Sequence, residues 1–142
     1  MIARAGLLLG WALLFLCMLP GIAAKADGPL KVAAVFGTTV EEPWVDAIHS
    51  ALQEAAREER VDYVWSDRVA PDEMASVLRD FAAQGFDLIT GDSFGAETAA
   101  RQVAREFPDT AFAFGSGGGP AAPNFSVFDN WIHESAYLAG MI

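Results

Sequence analysis

Short apolar runs alternate with helical stripes of apolar residues along most of this chain. Each run is a few residues long and is followed by Gly or a polar loop, which predicts a buried strand rather than a helix. The predicted strands are, in chain order, 31–36, 61–65, 86–90, 110–114 and 126–128. The resulting order, β-α-β-α-β-α-β-β-α, constrains the fold more than any other feature of the sequence.

The helices are predicted from apolar residues that recur at steps of three and four. Pro43 opens the first helix, with Glu41 and Glu42 at its positive N-terminal end. Gly85 is placed to cap the second helix, and the third covers about 94–107. The residues predicted to face the core are Trp44, Ala47, Ile48, Ala51, Leu52, Ala55 and Ala56, then Met74, Val77, Leu78, Phe81 and Ala82, then Ala96, Ala99, Ala100, Val103, Ala104 and Phe107.

The predicted fold class is α/β, a doubly wound and mostly parallel sheet. The strands are apolar and non-alternating, so we expect helices on both faces. A ligand of such a sheet binds beyond the carboxyl ends of the strands. The segments predicted at that edge are 37–39, 66–67, 91–94, 115–117 and 129–131. The Gly- and Pro-rich stretch 115–120 suits a mobile loop or hinge.

The N-terminus has the pattern of a secretory signal peptide. Arg4 precedes an apolar run over 5–19, and Ala24 and Ala26 suit a cleavage site, which predicts a signal peptide over 1–26. We therefore expect export to the periplasm, with an uncleaved membrane anchor as the alternative. Lipidation at Cys17 is disfavoured because Leu16, and not a small residue, precedes it.

The charge of the chain excludes some partners. Its formal net charge is -10, and removal of Arg4 and Lys25 with the signal would make it more negative. Nucleic acids and anionic membrane surfaces need Lys and Arg, so neither is expected as a partner. Contact with a membrane is expected only through a transporter or an uncleaved signal.

The sequence lacks the common catalytic motifs. Gly37 stands alone where a dinucleotide-binding loop needs three glycines, and no phosphate-binding Gly-Lys-Ser/Thr occurs. His49 and His133 are far apart and are interpreted as partly exposed helix residues, so no metal site is predicted. Ser93 and Ser116 lack a nucleophile elbow. We predict no enzymatic activity and no cofactor.

Aromatic rings and polar groups near the predicted ligand edge are the strongest indication of a binding site in the sequence. Trp44, Phe94 and Trp131 could stack on a flat solute. The polar groups that could orient it are Asp92, Ser93, Ser116, Asp129 and Asn130. In the competing interpretation, the three rings are core residues, and Asp129 and Asn130 cap the last helix.

Three stretches resemble the basic membrane protein family of type I periplasmic binding proteins, which includes purine nucleoside receptors of ABC importers. They are Glu41-Glu42-Pro43-Trp44, the helix-to-strand passage 99–112, and the Tyr-Leu-Ala-Gly segment within 134–140. The resemblance implies a two-lobed receptor that closes on a small solute and delivers it to an importer permease. Residues 27–142 would form the N-terminal lobe, incomplete at its C-terminus, because the chain stops inside a predicted helix that begins near Trp131.

The resemblance also assigns roles to individual residues. Trp44 matches an aromatic residue that stacks on the ligand base, and Ser93 and Phe94 match a segment that faces the cleft. Two positions differ from the family, because Val45 stands where Asn is frequent and Gly115 where Asp is frequent. Both differences remove polar groups that could hold a sugar. The expected ligand is therefore a purine nucleobase or nucleoside, or another flat, less hydroxylated solute.

Two other functions fit the same strand order. The lobe could be an exported ligand sensor that signals to a partner protein. It could also be a flavodoxin-like enzyme, although no site for one is evident. A response-regulator receiver is disfavoured because Phe36 and Gly37 stand where its acids should cluster, and because the chain has an export signal.

Overall fold

A computed structural model of the chain describes residues 28–129 and 132–141. The predicted signal peptide with Cys17, and the predicted site neighbours Asn130 and Trp131, lie outside the described residues. The strands are β1 (Leu30–Val35), β2 (Val61–Ser66), β3 (Leu88–Asp92), β4 (Ala111–Gly115) and β5 (Phe125–Phe128), and the helices are α1 (Pro43–Arg57), α2 (Met74–Ala83), α3 (Glu97–Glu106) and α4 (Ile132–Ala139). None of these helices is long and apolar enough to cross a membrane.

The five strands form one parallel sheet in the order β2-β1-β3-β4-β5. This is the predicted doubly wound α/β fold, with α1 on one face and α2 and α3 on the other. The direction of winding reverses between β1 and β3, which makes their carboxyl ends the switch point of the sheet. At that point Val35 pairs with Gly91, and a Cβ atom at position 91 would lie 2.1 Å from the Val35 carbonyl oxygen.

The larger core lies between the sheet and helices α2 and α3. Leu78 and Val103 are fully buried there, together with Phe112 and Phe114 of β4. Each large apolar side chain buried in this way contributes about 1.5–3 kcal/mol. The inward faces predicted for α2 and α3 are confirmed, and Gly85 follows α2 with a φ of 76°, as its predicted capping role requires.

The stripe predicted for α1 is partly wrong. Ala47 and Ala51 are exposed, whereas Val45 and His49 are 1% and 6% exposed. Alanine is apolar but small, so it fits either face of a helix, and the larger Val45 determines which face packs on the sheet.

The interpretation of His49 as a partly exposed residue is also wrong. Its Nδ1 lies 2.9 Å from the Tyr63 hydroxyl of β2, and its Nε2 lies 2.9 Å from the Gln53 amide nitrogen. Its ring meets Trp65 edge-on at a centroid distance of 4.6 Å. Burial raises the pKa of the Tyr63 hydroxyl. The buried imidazole therefore joins α1 to β2 through hydrogen bonds and ring contacts.

The edge strands do not have the continuous burial that was expected of every strand. In β2, Val64 and Trp65 are 37% and 45% exposed, and β5 is likewise only partly buried. Each edge strand has a neighbour on one side only, so helices that cover the middle of the sheet leave it partly uncovered.

A methyl group added at Gly91 should damage the fold. In Gly91→Ala the new Cβ atom would meet the Val35 carbonyl oxygen, and because the obstacle is backbone, β1 and β3 would have to separate. We expect a loss of about 1–3 kcal/mol or more in the free energy of unfolding, measured by urea denaturation. Gly28→Ala is the matched control, since nothing lies within 4 Å of the added atom. Equal stability of the two variants would contradict this packing.

Candidate functional site

The loops that follow the strands meet at one edge of the sheet. Because all the described strands are parallel, the segments after β1, β2, β3, β4 and β5 lie at the same edge. Backbone hydrogen bonds join neighbouring segments, as from Ser93 N–H to the Gly115 carbonyl at 2.8 Å and from Ser116 N–H to the Phe128 carbonyl at 2.9 Å. The structure therefore gathers the described members of the predicted site at this edge.

Trp44 is fixed at the first turn of α1. Glu42 is the N-cap, and its carboxylate accepts hydrogen bonds from two backbone N–H groups of that turn, at 3.1 Å each. The half-buried indole contacts Gly115, where an added Cβ atom would lie 2.9 Å from Trp44 Cζ2. It also contacts Phe128, with ring centroids 6.2 Å apart. Trp44 and Phe128 are called the aromatic pair below.

Ser93 occupies the turn between β3 and α3. Its side chain is 5% exposed, and its carbonyl accepts the N–H groups of Ala96 and Glu97 at the start of α3. An added Cβ atom on Gly117 would lie 2.9 Å from Ser93 Oγ. Trp44 and Ser93 therefore contact the two ends of the segment 115–117.

Two polar atoms of this edge lack partners. Trp44 Nε1 and Ser93 Oγ are buried, and neither has a hydrogen-bond partner in the described part of the chain. A buried donor or acceptor left unpaired costs about 1–3 kcal/mol, so such a group calls for a physical explanation.

Asp92 and Phe94 line a cavity of about 110 Å³ at the switch point. Asp92 Oδ1 accepts the Phe94 N–H at 2.9 Å, and the Phe94 side chain is 88% exposed, so Phe94 is not a core residue. This switch-point cavity is lined by Gly37, Thr38, Val69, Pro71, Met74, Asp92, Phe94 and Gly95. It brings residues from the loops after β1, β2 and β3 together.

The other predicted site residues lie at the same edge. Ser116 is exposed and has a φ of 58°, a left-handed conformation that is unusual for a residue with a side chain. Asp129 is exposed and directly follows β5. Neither residue lines the switch-point cavity.

The Gly-rich loop predicted to be a hinge is tied to α3. Glu97 accepts a hydrogen bond from the Gly118 N–H at 2.8 Å, and Arg101 donates to the Gly119 carbonyl at 2.6 Å. Arg101 also pairs with Glu97 and lies 4.8 Å from the centre of the Phe125 ring. The Gly118 N–H, and then Arg101, lower the pKa of Glu97.

The loop after β2 carries the one basic residue among the described loops at this edge. Arg68 has a φ of 54°, and its backbone N–H donates to the Thr38 carbonyl at 3.0 Å. Its guanidinium donates to Thr39 Oγ1 at 3.1 Å and lies 3.8 Å from carboxylate oxygens of both Glu41 and Asp67. Acidic neighbours therefore surround this cation.

The sequence did not identify four residues that the structure places at this edge as candidate site residues. Phe128 was predicted only as the end of a strand, and Val69, Pro71 and Met74 were treated as loop or core. Their positions directly after a strand, or at the start of the next helix, were the available signal. Within 28–129 and 132–141, no three His, Cys, Asp or Glu side chains are grouped as a metal site would require.

Comparison with known proteins gives a consistent family match. The family model Bmp, described as "ABC transporter substrate-binding protein PnrA-like", matches residues 30–142. A curated relative from Haloferax volcanii, named "Putative ABC transporter glucose-binding protein TsgA13", is 30% identical over 116 residues, which cover 73% of this chain and 29% of the relative.

Solved structures share the fold. A solute-binding protein of an ABC transporter system from Aeropyrum pernix K1 has a TM-score of 0.69 and 25% identity, over 80% of this chain and 32% of that one. One from Conexibacter woesei has a TM-score of 0.67 and 24% identity, over 80% and 39%. The chain thus spans between 29% and 39% of the length of these three proteins.

A methyl group at Gly115 should move Trp44 without unfolding the protein. In Gly115→Ala the obstacles are two side-chain rings and not backbone, so the indole can shift. We expect a stability loss below about 1.5 kcal/mol. The Trp44 indole N–H resonance should shift in a ¹H–¹⁵N NMR spectrum, assigned with Trp44→Phe, while that of Trp65 stays in place. An unmoved Trp44 resonance would contradict the contact.

Glu97 should make the stability depend on pH. Its pKa is lowered in the folded state, so its charge stabilises the fold above its usual pKa of 4.5, and this contribution is lost as the pH falls through the lowered value. The stability advantage of the wild type over Glu97→Gln should therefore shrink below about pH 4.5 in chemical denaturation between pH 6 and pH 3. Glu54→Gln, which alters an exposed pair with Arg57 on α1, is the control for the removal of one surface carboxylate. A wild-type advantage that is constant with pH would exclude this role of the charge.

Proposed function

The chain belongs to the PnrA-like family of ABC transporter substrate-binding proteins, and from this premise we propose that its folded lobe binds a small flat solute at the carboxyl ends of the strands. The solute would be a purine nucleobase or nucleoside. The protein would be exported by the signal peptide 1–26, would catalyse no reaction and would deliver the solute to an importer permease.

The observation that carries the proposal is the pair of unpaired polar atoms at the edge. Trp44 Nε1 and Ser93 Oγ are buried without partners in the described part of the chain, and the Trp44 ring and the Ser93 hydroxyl both lie against the segment 115–117. A solute that supplies an acceptor to the indole and a partner to the hydroxyl, after a small shift of the rings, would remove both costs. Ligand sites combine such polar groups with aromatic walls.

The half-buried Trp44 and the exposed Phe94 supply the aromatic surface for a flat solute. Two structural details favour a nucleobase over a sugar-bearing solute. The apolar side chain of Val45 is buried in the core and offers no polar group to a ligand. The aromatic pair fills the space beside Gly115. Neither position can therefore contact sugar hydroxyl groups through a side chain.

A second ligand class has support from the relative of Haloferax volcanii, whose name gives glucose as its ligand. Pyranose rings also stack on aromatic side chains and need hydroxyl partners such as Ser93. The binding experiment therefore has to include sugars.

Ligand binding should depend on Trp44 and not on Trp65. Adenine, hypoxanthine, adenosine and glucose would be titrated into the mature protein by calorimetry. Trp44→Phe keeps a ring but removes the indole N–H, and because a hydrogen bond contributes about 0.5–1.5 kcal/mol it should weaken nucleobase binding by roughly 2- to 12-fold. Trp44→Ala also removes ring stacking, worth about 0.5–1.5 kcal/mol, and should weaken binding more. Trp65→Phe, a ring on the exposed edge strand β2, is the matched control.

The outcomes separate the parts of the proposal. Binding of glucose but not of purines would exclude the flat-solute assignment and retain a solute-binding function. Equal effects of the Trp44 and Trp65 substitutions would remove Trp44 from the site. Absence of binding by every solute would contradict solute binding by this protein.

A further inference from the structure

We propose that the switch-point cavity receives a positively charged group of the solute, so that the ligand is a flat aromatic cation. This inference rests on the proposed binding of a flat solute. Because unmodified purines are neutral near neutral pH, it selects a positively charged ring, such as an N-methylated purine or pyridine, among the flat solutes. It is based on the shape of the cavity, on its one carboxylate and on the charges around it.

The cavity is apolar and holds only part of a solute. Val69 and Met74 in its wall are 7% and 1% exposed. Gly37 has no side chain to fill the cavity, and a Cβ atom added there would lie 3.8 Å from the Val69 carbonyl oxygen. A volume of about 110 Å³ is space for three to four water-sized groups. A methyl or methylammonium group fits this volume, and a whole ring system does not.

Asp92 is the single ionisable residue in the lining of this cavity. The Phe94 N–H fixes one oxygen of its carboxylate at 2.9 Å, and the second oxygen has no hydrogen-bond partner in the described chain. A carboxylate whose orientation is already set by folding can pair with a cation at a low entropic cost.

Phe94 is a lining residue of the cavity and carries an exposed ring. Its side chain is 88% exposed, and such a ring attracts a cation through its quadrupole as well as stacking on a flat solute. A cationic ring that stacks on Phe94 and places the methyl group of its charged nitrogen in the cavity would therefore contact both Phe94 and Asp92.

The surrounding charges favour a cation over an anion. The described segments between each strand and the next helix, together with the end of β3, contain one base, Arg68, and the acids Glu41, Glu42, Asp67, Asp72, Glu73, Asp92 and Asp129. Arg68 is itself within 3.8 Å of two of these carboxylates, so it offers little to an anionic ligand. Together with the formal net charge of -10, this arrangement would attract cationic solutes and repel anionic ones.

The test uses three probes that share one ring and differ in charge. The mature protein would be titrated at pH 7 with 1-methylnicotinamide, nicotinamide and nicotinate, which are cationic, neutral and anionic. We expect the cation to bind at least about tenfold more tightly than the neutral ring, and the anion to bind most weakly. Asp92→Asn keeps the acceptor for the Phe94 N–H and should reduce the cation preference to less than about threefold.

The control is Asp109→Asn, an exposed acid that precedes β4 at the opposite edge of the sheet, which should keep the cation preference. Equal binding of the cation and the neutral ring, or equal effects of the two substitutions, would overturn the inference. Binding of nucleobases without binding of any of the three probes would overturn it and leave the proposed function standing. Failure of nucleobases, sugars and all three probes would overturn both.

Discussion

The contact between β1 and β3 at Gly91 is the constraint on which the edge of the sheet that holds the candidate site depends. The Val35 carbonyl oxygen occupies the place that a side chain at position 91 would need, so the two strands can approach only because the residue is glycine. That approach sets the positions of Asp92 at the end of β3, of Phe94 in the loop that follows it, and of the loop that leads from β1 to Trp44 in α1. The positions of the loops at this edge therefore depend first on how closely the backbones of β1 and β3 pack.

The two faces of the sheet are unequally covered. Helices α2 and α3 build the large core on one face, whereas the core on the α1 face contains few buried residues, among them Ala34, Phe36 and Val45. Toward β5 the α1 face ends in the aromatic pair, with Phe128 still 36% exposed. Most of the buried apolar residues in the described part of the chain therefore lie on the face covered by α2 and α3.

The spacing of apolar residues correctly predicted the buried face of a helix where large apolar residues lie on one side and polar residues on the other. The inward faces of α2 and α3 were predictable because large apolar residues such as Leu78 and Val103 have only one favourable environment. The α1 face was not, because alanine fits either side and the burial of His49 depends on Tyr63, which is remote in sequence. Likewise, Asn124 donates to the carbonyls of Ala104, Phe107 and Thr110, and nothing in the local sequence indicates that connection. The strand ends predicted that the candidate site residues lie at one edge of the sheet, but the cavity, built from three separate loops, has no sequence pattern of its own.

The loops after β1 and β3 share a local arrangement that explains how the edge presents its aromatic rings. In each loop a carboxylate accepts the backbone N–H of the aromatic residue two positions later, Glu42 from Trp44 and Asp92 from Phe94. The acid fixes the backbone of the aromatic residue, so less backbone freedom remains to be lost when a ligand stacks on the ring. Glu42 and Asp92 also add negative charge to this edge. In the proposed site, the same two residues therefore hold the aromatic residues in place and favour a cationic solute over an anionic one.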